Sequence, residues 1–238
     1  MGAMTPIAAD DEAIRELRAW TFDGWAPWAY DQSVVVLSPI ARREGGQESP
    51  VTWASAAAEL GVPFESLMAG HPSTKSLAAA ATAAGMEDQF IWPDDGLVSP
   101  VLWSELVKIL REYTLASEYL HAGFYLGFGV PDVLRGVATV LDINDASYGF
   151  SQVLAGDIYQ TPGGLAGMPL FEPSPMRFSP DLSFLWPADK SWFIRVYPDS
   201  PFLVVSCKNE MAARIRSDAQ FECWEEGLGS PRFEVREG

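Results

Sequence analysis

Two hydrophobic segments near the C-terminal end of the chain carry its clearest strand pattern. They run from Trp192 to Tyr197 and from Phe202 to Ser206, and both are rich in β-branched and aromatic residues. The loop Pro198-Asp199-Ser200-Pro201 separates them. Two such segments around a short proline-containing loop are typical of a β-hairpin, so we expect a hairpin here.

The first strand of this hairpin has one strongly apolar face. Because side chains alternate along a strand, Trp192, Ile194 and Val196 point to the same side. We expect helices to cover this face, with Leu106 and Ile109 in contact with it. The hairpin would then form the centre of the hydrophobic core.

Proline and glycine positions set the expected limits of several irregular segments. Pro187 cannot donate a ladder hydrogen bond, so we expect the first hairpin strand to begin after it, with Ala188-Asp189-Lys190 as the entry turn. The charged, glycine-containing segment from Arg42 to Pro50 should be an exposed loop. The segment from Gln160 to Pro180 is rich in proline and glycine and should be a long irregular excursion.

Apolar residues at helical spacing predict helices in the first half of the chain and one near the end. Asp10 or Asp11 can cap the first, and Ser99 before Pro100 is a strong start signal for an amphipathic helix. Glycines after two Ala-rich segments indicate helix ends. The predicted helices begin at Asp11, Thr52, Leu77, Ser99 and Asn209.

Between the helices, period-two alternation predicts further strands. The segment from Tyr119 to Phe128 alternates between two faces, and Ser33 to Leu37 suits a buried strand. The segments Val137 to Ile143 and Tyr148 to Leu154 predict a second hairpin, with a helix from Pro131 to Leu141 as the competing interpretation.

These elements predict an α+β fold. We expect a mainly antiparallel sheet built from hairpins, with N-terminal helices and a C-terminal helix packed on it. Residues 4–226 should form a single domain. Residues 1–3 resemble a cloning scar and residues 227–238 a C-terminal tail.

The charge of the chain narrows the classes of partner. Lys and Arg number 16 against 32 Asp and Glu, a net charge of −16. Such a field repels nucleic acids and anionic lipid surfaces and favours a basic protein partner, although acidity also serves solubility alone. The sequence shows no membrane span or signal peptide, and its two cysteines indicate no disulfide framework, so we expect a cytoplasmic protein.

Four segments resemble a group of uncharacterised actinobacterial proteins. They serve as landmarks in this order: Ser49 to Gly61, Pro93 to Pro100, Phe124 to Gly129, and Leu185 to Phe193, which reads Leu-Trp-Pro-Ala-Asp-Lys-Ser-Trp-Phe. The resemblance covers most of the chain from about Val51 and supports the order of elements. It implies no activity and no catalytic residue.

Catalytic motifs are absent from the sequence. It has no P-loop, no metalloprotease helix, no Cys-x-x-Cys pair and no nucleophile elbow. We therefore expect no cofactor and no catalytic residue, and the two histidines exclude a multi-histidine metal site. His121 shares a strand face with Tyr119 and Tyr125 and could line a ligand cleft with them. The alternative is a histidine packed against aromatic rings and hydrogen-bonded to the backbone.

Two functions remain open. The first is a non-enzymatic acidic binding module, such as an inhibitor or immunity-like protein for a basic partner, with Asp94 and Asp95 as contact charges. Trp92 beside them is either an interface anchor or a buried residue that holds the loop. The second is a small-molecule-binding protein or enzyme with a cleft around His121, Tyr119 and Tyr125.

Overall fold

The computed structural model describes residues 5–20, 26–68, 72–93, 98–126, 138–143, 146–160, 181–197 and 200–224. Within these ranges the elements are β1 Thr5–Pro6, α1 Glu12–Ala19, β2 Gln32–Leu37, β3 Ile40–Glu44, β4 Gln47–Val51, α2 Trp53–Leu60, α3 Phe64–Met68, α4 Lys75–Ala83, β5 Phe90–Ile91, α5 Pro100–Tyr113, β6 Tyr119–Tyr125, β7 Thr139–Ile143, β8 Ala146–Leu154, α6 Ala155–Gln160, β9 Asp181–Pro187, β10 Trp192–Val196, β11 Phe202–Cys207, α7 Asn209–Ser217 and β12 Cys223–Trp224.

The larger of two sheets contains nine strands, counted within the described ranges. Its order is β1-β8-β6-β9-β10-β11-β2-β12, and β7 pairs with β8 outside this path. The pairings in this sheet are antiparallel. The fold is therefore α+β with mainly antiparallel sheets, which confirms the predicted fold class.

Both predicted hairpins are present. β10 and β11 pair from Trp192 opposite Cys207 to Val196 opposite Leu203. β7 pairs with β8, so the competing helix from Pro131 to Leu141 is wrong where the structure describes it, from residue 138 onward. The strand prediction is correct here, because the residues from 139 to 143 alternate in exposure as a half-covered strand requires.

The predicted loop from Arg42 to Pro50 is instead a hairpin of β3 and β4, which forms a second, three-stranded sheet of order β4-β3-β5 with β5. Gly45 and Gly46 join β3 to β4 with φ of 58° and 84°, the conformation of a type I′ hairpin turn. Residues 43–50 are exposed, as predicted. The loop prediction failed because a hairpin that is polar on both faces lacks the apolar alternation that marks a strand.

The first hairpin strand begins at Trp192, after Pro187, as predicted, but a further strand that was not predicted ends at Pro187. β9 lies between β6 and β10, with Pro187 at its end opposite Leu120. Residues 182–187 are all buried, so β9 shows no period-two pattern. The turn at Ala188 and Asp189 leads into β10, and the Lys190 N–H donates to the Pro187 carbonyl at 3.0 Å.

One face of the large sheet packs on α5 and α7. Trp192, Ile194 and Val196 are buried in one core with Leu106 and Ile109 of α5, which confirms the predicted cover of this face. The core also contains residues of α7 that are fully buried: Met211, Ala212 and Ile215.

The opposite face of the sheet carries two further cores. Near β8, β9 and β10, α1 covers an aromatic layer with Ile14 and Leu17. Near β2 and β11, helices α2 to α4 and the small sheet cover Val35 and Leu37. The sheet is thus covered on both faces, which explains why its central strands read as continuous apolar segments.

Two predicted helix caps form their side-chain hydrogen bonds, whereas Ser99 holds the cap position of α5 without such a bond and α4 begins at Lys75, two residues before Leu77. The Asp11 carboxylate accepts from the Ala13 N–H, and the Thr52 hydroxyl accepts from the Ser55 N–H. Asn209 is not the cap of the last helix, because α7 begins at Asn209 itself and Lys208 holds the cap position. There the Asn209 N–H donates to the Asp31 carboxylate at 3.2 Å, so a residue distant in sequence replaces the local cap.

Several predictions concern residues outside the described ranges. These are the first three residues, the tail at 227–238, nearly all of the Gln160 to Pro180 excursion, and residues 131–137. The assignment of residues 4–226 to one domain stays a prediction. Among the helices described, none is both long and apolar enough to cross a membrane.

Candidate functional site

Tyr119, His121 and Tyr125 share one face of β6 but do not form one cleft. Tyr119 is 52% exposed, His121 is buried, and Tyr125 is half-buried against the Tyr148 ring. At the rise of an extended strand, Tyr119 and Tyr125 lie about 20 Å apart. Tyr119 and His121 therefore lie at one end of an aromatic layer, and Tyr125 lies at the other end.

Gly123 lies between His121 and Tyr125 on this face of β6. A Cβ atom on Gly123 would lie 2.7 Å from a ring carbon of Phe150 and 2.8 Å from one of Phe184. The absence of a side chain at this position allows both phenyl rings to lie over the strand, where they stack with centroids 6.3 Å apart. The middle of the β6 face is therefore filled with protein.

His121 packs against an aromatic ring, as the second interpretation of this residue predicts, but its described hydrogen bond goes to a side chain. The imidazole meets the Trp186 indole edge to face, with centroids 5.2 Å apart. Its Nε2 lies 3.1 Å from Nε2 of Gln152 on β8. Burial lowers the pKa of His121, which outweighs the opposing influence of Asp11, so the ring is neutral at pH 7.

Two buried nitrogen atoms in this pair of rings lack a hydrogen-bond partner among the described residues. They are Nδ1 of His121 and Nε1 of Trp186. When the Gln152 amide donates to Nε2 of His121, the ring proton lies on Nδ1, and both nitrogens are then donors. Each of these nitrogens can bind an oxygen acceptor, supplied by an ordered water or by a ligand.

A polar cluster borders the Trp186 ring. Lys190 and the indole N–H of Trp28 each donate to the Glu16 carboxylate at 2.5 Å. These two hydrogen bonds, the Lys190 one first, lower the pKa of Glu16. The Lys190 ammonium lies 5.1 Å from the centroid of Trp28, which in turn packs 5.8 Å from Trp186. Lys190 is therefore already neutralised by the protein itself.

Of the three residues proposed for the acidic interface, only Trp92 lies in a described range. Its ring stacks on Phe90, with centroids 5.4 Å apart and planes 18° apart, and it packs against the core beneath α2 to α4. This position suits a residue that holds the segment down. Asp94 and Asp95 lie outside the described residues.

The structure shows a surface that the sequence did not indicate, the turn from Leu115 to Tyr119, which follows α5 and ends on the first residue of β6. Leu115 is 65% exposed and Tyr119 is 52% exposed. The Glu118 carboxylate accepts from the Leu115 N–H at 2.9 Å, and the Glu118 N–H donates back to the Leu115 carbonyl at 3.0 Å. The turn is closed by its own hydrogen bonds.

Contacts with α6 fix this turn to the rest of the protein. The Ala155 N–H donates to the Glu118 carbonyl at 2.8 Å, and the Gly156 N–H donates to the Ala116 carbonyl at 2.9 Å. A Cβ atom on Gly156 would lie 2.9 Å from that same carbonyl oxygen, so only glycine allows this approach. The turn depends on a residue 40 positions away, which no local pattern reveals.

Other potential sites are limited in the described part of the chain. No group of three or more His, Cys, Asp or Glu residues there could hold a metal ion. Cys207 is buried and Cys223 half-buried, and the two form no disulfide. Burial raises the pKa of the Cys207 thiol to about 12, so it is no nucleophile at neutral pH.

Comparison with known proteins adds no relative. No protein-family model matches the chain, and neither the curated proteins nor the solved structures contain a match. The resemblance to the actinobacterial group stays a prediction.

Proposed function

We propose that this chain is a non-enzymatic binding module whose acidic surface binds a basic protein. The observation that carries the proposal is the excess of carboxylates over the cations that form ion pairs with them. Described cations that form ion pairs with the protein's own carboxylates are Arg42, Arg43, Lys108, Lys190 and Arg214. With a net charge of −16, these ion pairs leave a large excess of carboxylates that a basic partner can neutralise.

The exposed carboxylates are spread over several elements. Those with exposed positions in described ranges include Glu12, Asp31, Glu65, Glu87, Asp88, Glu118, Asp142, Asp189 and Glu210. A field of this kind steers a basic partner during encounter and repels a nucleic acid or an anionic membrane. An inhibitor or immunity-like protein for a basic toxin or nuclease fits this electrostatic character.

Affinity capture tests the proposal. The tagged protein is used as bait in a lysate of the organism that encodes it, and bound proteins are identified by mass spectrometry. The proposal expects a basic protein whose purified form binds directly and is released by salt. Capture of acidic proteins alone, or a direct complex that is indifferent to salt, would contradict it.

A second candidate function is the binding of a small molecule beside His121. The specific observation in its favour is the pair of buried nitrogens without partners, Nδ1 of His121 and Nε1 of Trp186. Two N–H donors between aromatic rings suit the oxygen of a carboxylate or carbonyl group. Tyr125 would not contact such a ligand, because Phe150 and Phe184 fill the face between His121 and Tyr125.

NMR titration distinguishes this candidate from a buried water. Acetate and benzoate are added to the ¹⁵N-labelled protein, and the indole N–H signal of Trp186 and the ring nitrogens of His121 are followed. Saturable shifts at both rings that disappear in Trp186→Phe support a ligand site. Unchanged signals at both rings indicate a water position and remove the candidate.

A further inference from the structure

We infer that the turn from Leu115 to Tyr119 is the docking surface for the basic partner, with Leu115 and Tyr119 as its apolar anchors. This inference rests on the proposed function. The partner surface it fits has an apolar or aromatic side chain surrounded by Lys or Arg.

The turn is unusual because two exposed apolar residues, Leu115 and Tyr119, lie only four residues apart in the sequence. Exposed single hydrophobic residues are common and need no explanation. Leu115 and Tyr119, however, are both more than half exposed and belong to one five-residue turn. Tyrosine is also among the residues that contribute most to binding at protein interfaces.

The turn is held rigid from inside. Thr114, which precedes it, is buried, and its carbonyl accepts from the Tyr159 hydroxyl at 3.1 Å. Its hydroxyl oxygen accepts from the Trp192 indole at 2.9 Å. With the contacts to Ala155 and Gly156, these bonds fix the backbone that carries the exposed side chains. A preorganised apolar surface loses little conformational entropy when it binds.

The surroundings of the turn carry negative charge. Glu118 lies within it and is exposed. Asp189 lies two residues beyond Pro187, which pairs with Leu120, the residue after Tyr119, and Asp157 lies on α6 two residues after Ala155. Lys190 pairs with Glu16, and Arg111, which lies against the Tyr159 ring, is a positive charge at the edge of the turn that Glu118 and the two aspartates outnumber. A basic partner therefore fits better than an acidic or neutral one.

Two synthetic peptides test the inference on the full chain. One is a short oligolysine and the other is the same peptide with one central phenylalanine. Affinities are measured by calorimetry at low salt, and the binding site is mapped by NMR. We expect phenylalanine to tighten binding by about tenfold, and the Leu115 and Tyr119 signals to shift with this peptide.

Matched variants locate the effect. In Leu115→Ser/Tyr119→Ser the tenfold gain should disappear, while oligolysine should bind as it does to the original protein. Val101→Ser is the control, because Val101 is 54% exposed at the other end of α5, about 20 Å from Leu115. All three substituted residues are exposed, so the variants should fold. The dispersion of the NMR signals verifies this.

The outcomes separate the inference from the proposed function. A gain that survives Leu115→Ser/Tyr119→Ser, or no gain at all, overturns the docking surface and leaves the acidic binding function standing if oligolysine still binds. Failure of both peptides to bind at low salt overturns the inference and also contradicts the proposed function.

Discussion

Glu222 reaches across the fold to the backbone of Trp53, whose N–H donates to its carboxylate at 2.5 Å. The other carboxylate oxygen accepts from the Ala54 N–H at 2.8 Å. Glu222 therefore caps the first turn of α2, although it lies near the C-terminal end of the chain, beside β12. A residue distant in sequence performs the work of a local cap.

Removal of this cap should destabilise the protein. Glu222→Ala leaves two N–H groups at the start of α2 without their acceptor, and we expect a loss of about 1–2 kcal/mol in the free energy of unfolding. Urea denaturation measures this quantity. Glu87→Ala, at an exposed position of a short 3-10 turn, is the control and should change stability little. Equal effects of the two substitutions would show that Glu222 is no cap.

His121 should make stability depend on pH. Burial lowers the pKa of His121 below the ordinary value near 6.5, so the unfolded chain binds a proton more readily than the folded one. Its stabilising contribution is complete above that value and is lost as pH falls through it toward the folded pKa. The charge of Asp11 raises the pKa of His121 and that of Lys190 lowers it, so their influences oppose each other.

The comparison that isolates this effect uses His121→Gln. Because the pKa of His121 is lowered in the folded protein, the original protein should lose stability relative to the variant as the pH falls from 8 to 5. Urea denaturation at each pH gives the difference. A difference that stays constant over this interval would show that His121 titrates alike in the folded and unfolded states.

Gly123→Ala should destabilise the aromatic layer. The new Cβ atom meets ring carbons of Phe150 and Phe184 at less than contact distance, and overpacking of this kind costs about 1–3 kcal/mol. Thermal denaturation measures the loss. Phe150→Leu in the Gly123→Ala background removes one obstructing ring, so the double variant should lose less than the sum of the two single variants. Strict additivity would contradict the packing account.

Trp192→Ala should be among the most destabilising substitutions. The side chain is fully buried, and its indole N–H donates to the Thr114 hydroxyl oxygen. Truncation of a large aromatic residue in a core costs about 3–5 kcal/mol. Tyr119→Ala, at an exposed aromatic position, serves as the control. A melting temperature for Trp192→Ala equal to that of the control would refute the central position of this residue.

Local patterns in the sequence predicted elements that depend on nearby residues. The hairpin of Trp192 to Ser206 has apolar runs on both sides of a proline-containing loop, and α2 lies between Thr52 and Gly61. Those signals are local, since a cap or a turn acts within a few residues. Because the sheet is covered on both faces, β9 shows no alternation, and its start before Pro187 was missed.

The candidate surfaces depend on contacts between distant residues, so the sequence showed little of them. The predicted cleft of His121, Tyr119 and Tyr125 was based on their common strand face. The three residues do share that face. The pattern could not show that Phe150 and Phe184 fill that face above Gly123. The turn that carries Leu115 is likewise held by the approach of Gly156 to Ala116, which only the fold determines.

The most direct test of the binding function is the association rate with a captured basic partner as a function of ionic strength. Stopped-flow fluorescence can follow the tryptophans during complex formation. Because exposed charges are screened over about 10 Å at 0.1 M salt, we expect the association rate to fall by at least tenfold between about 0.02 M and 0.3 M salt, with a smaller change in the dissociation rate. An association rate independent of salt would contradict a binding function based on the acidic surface.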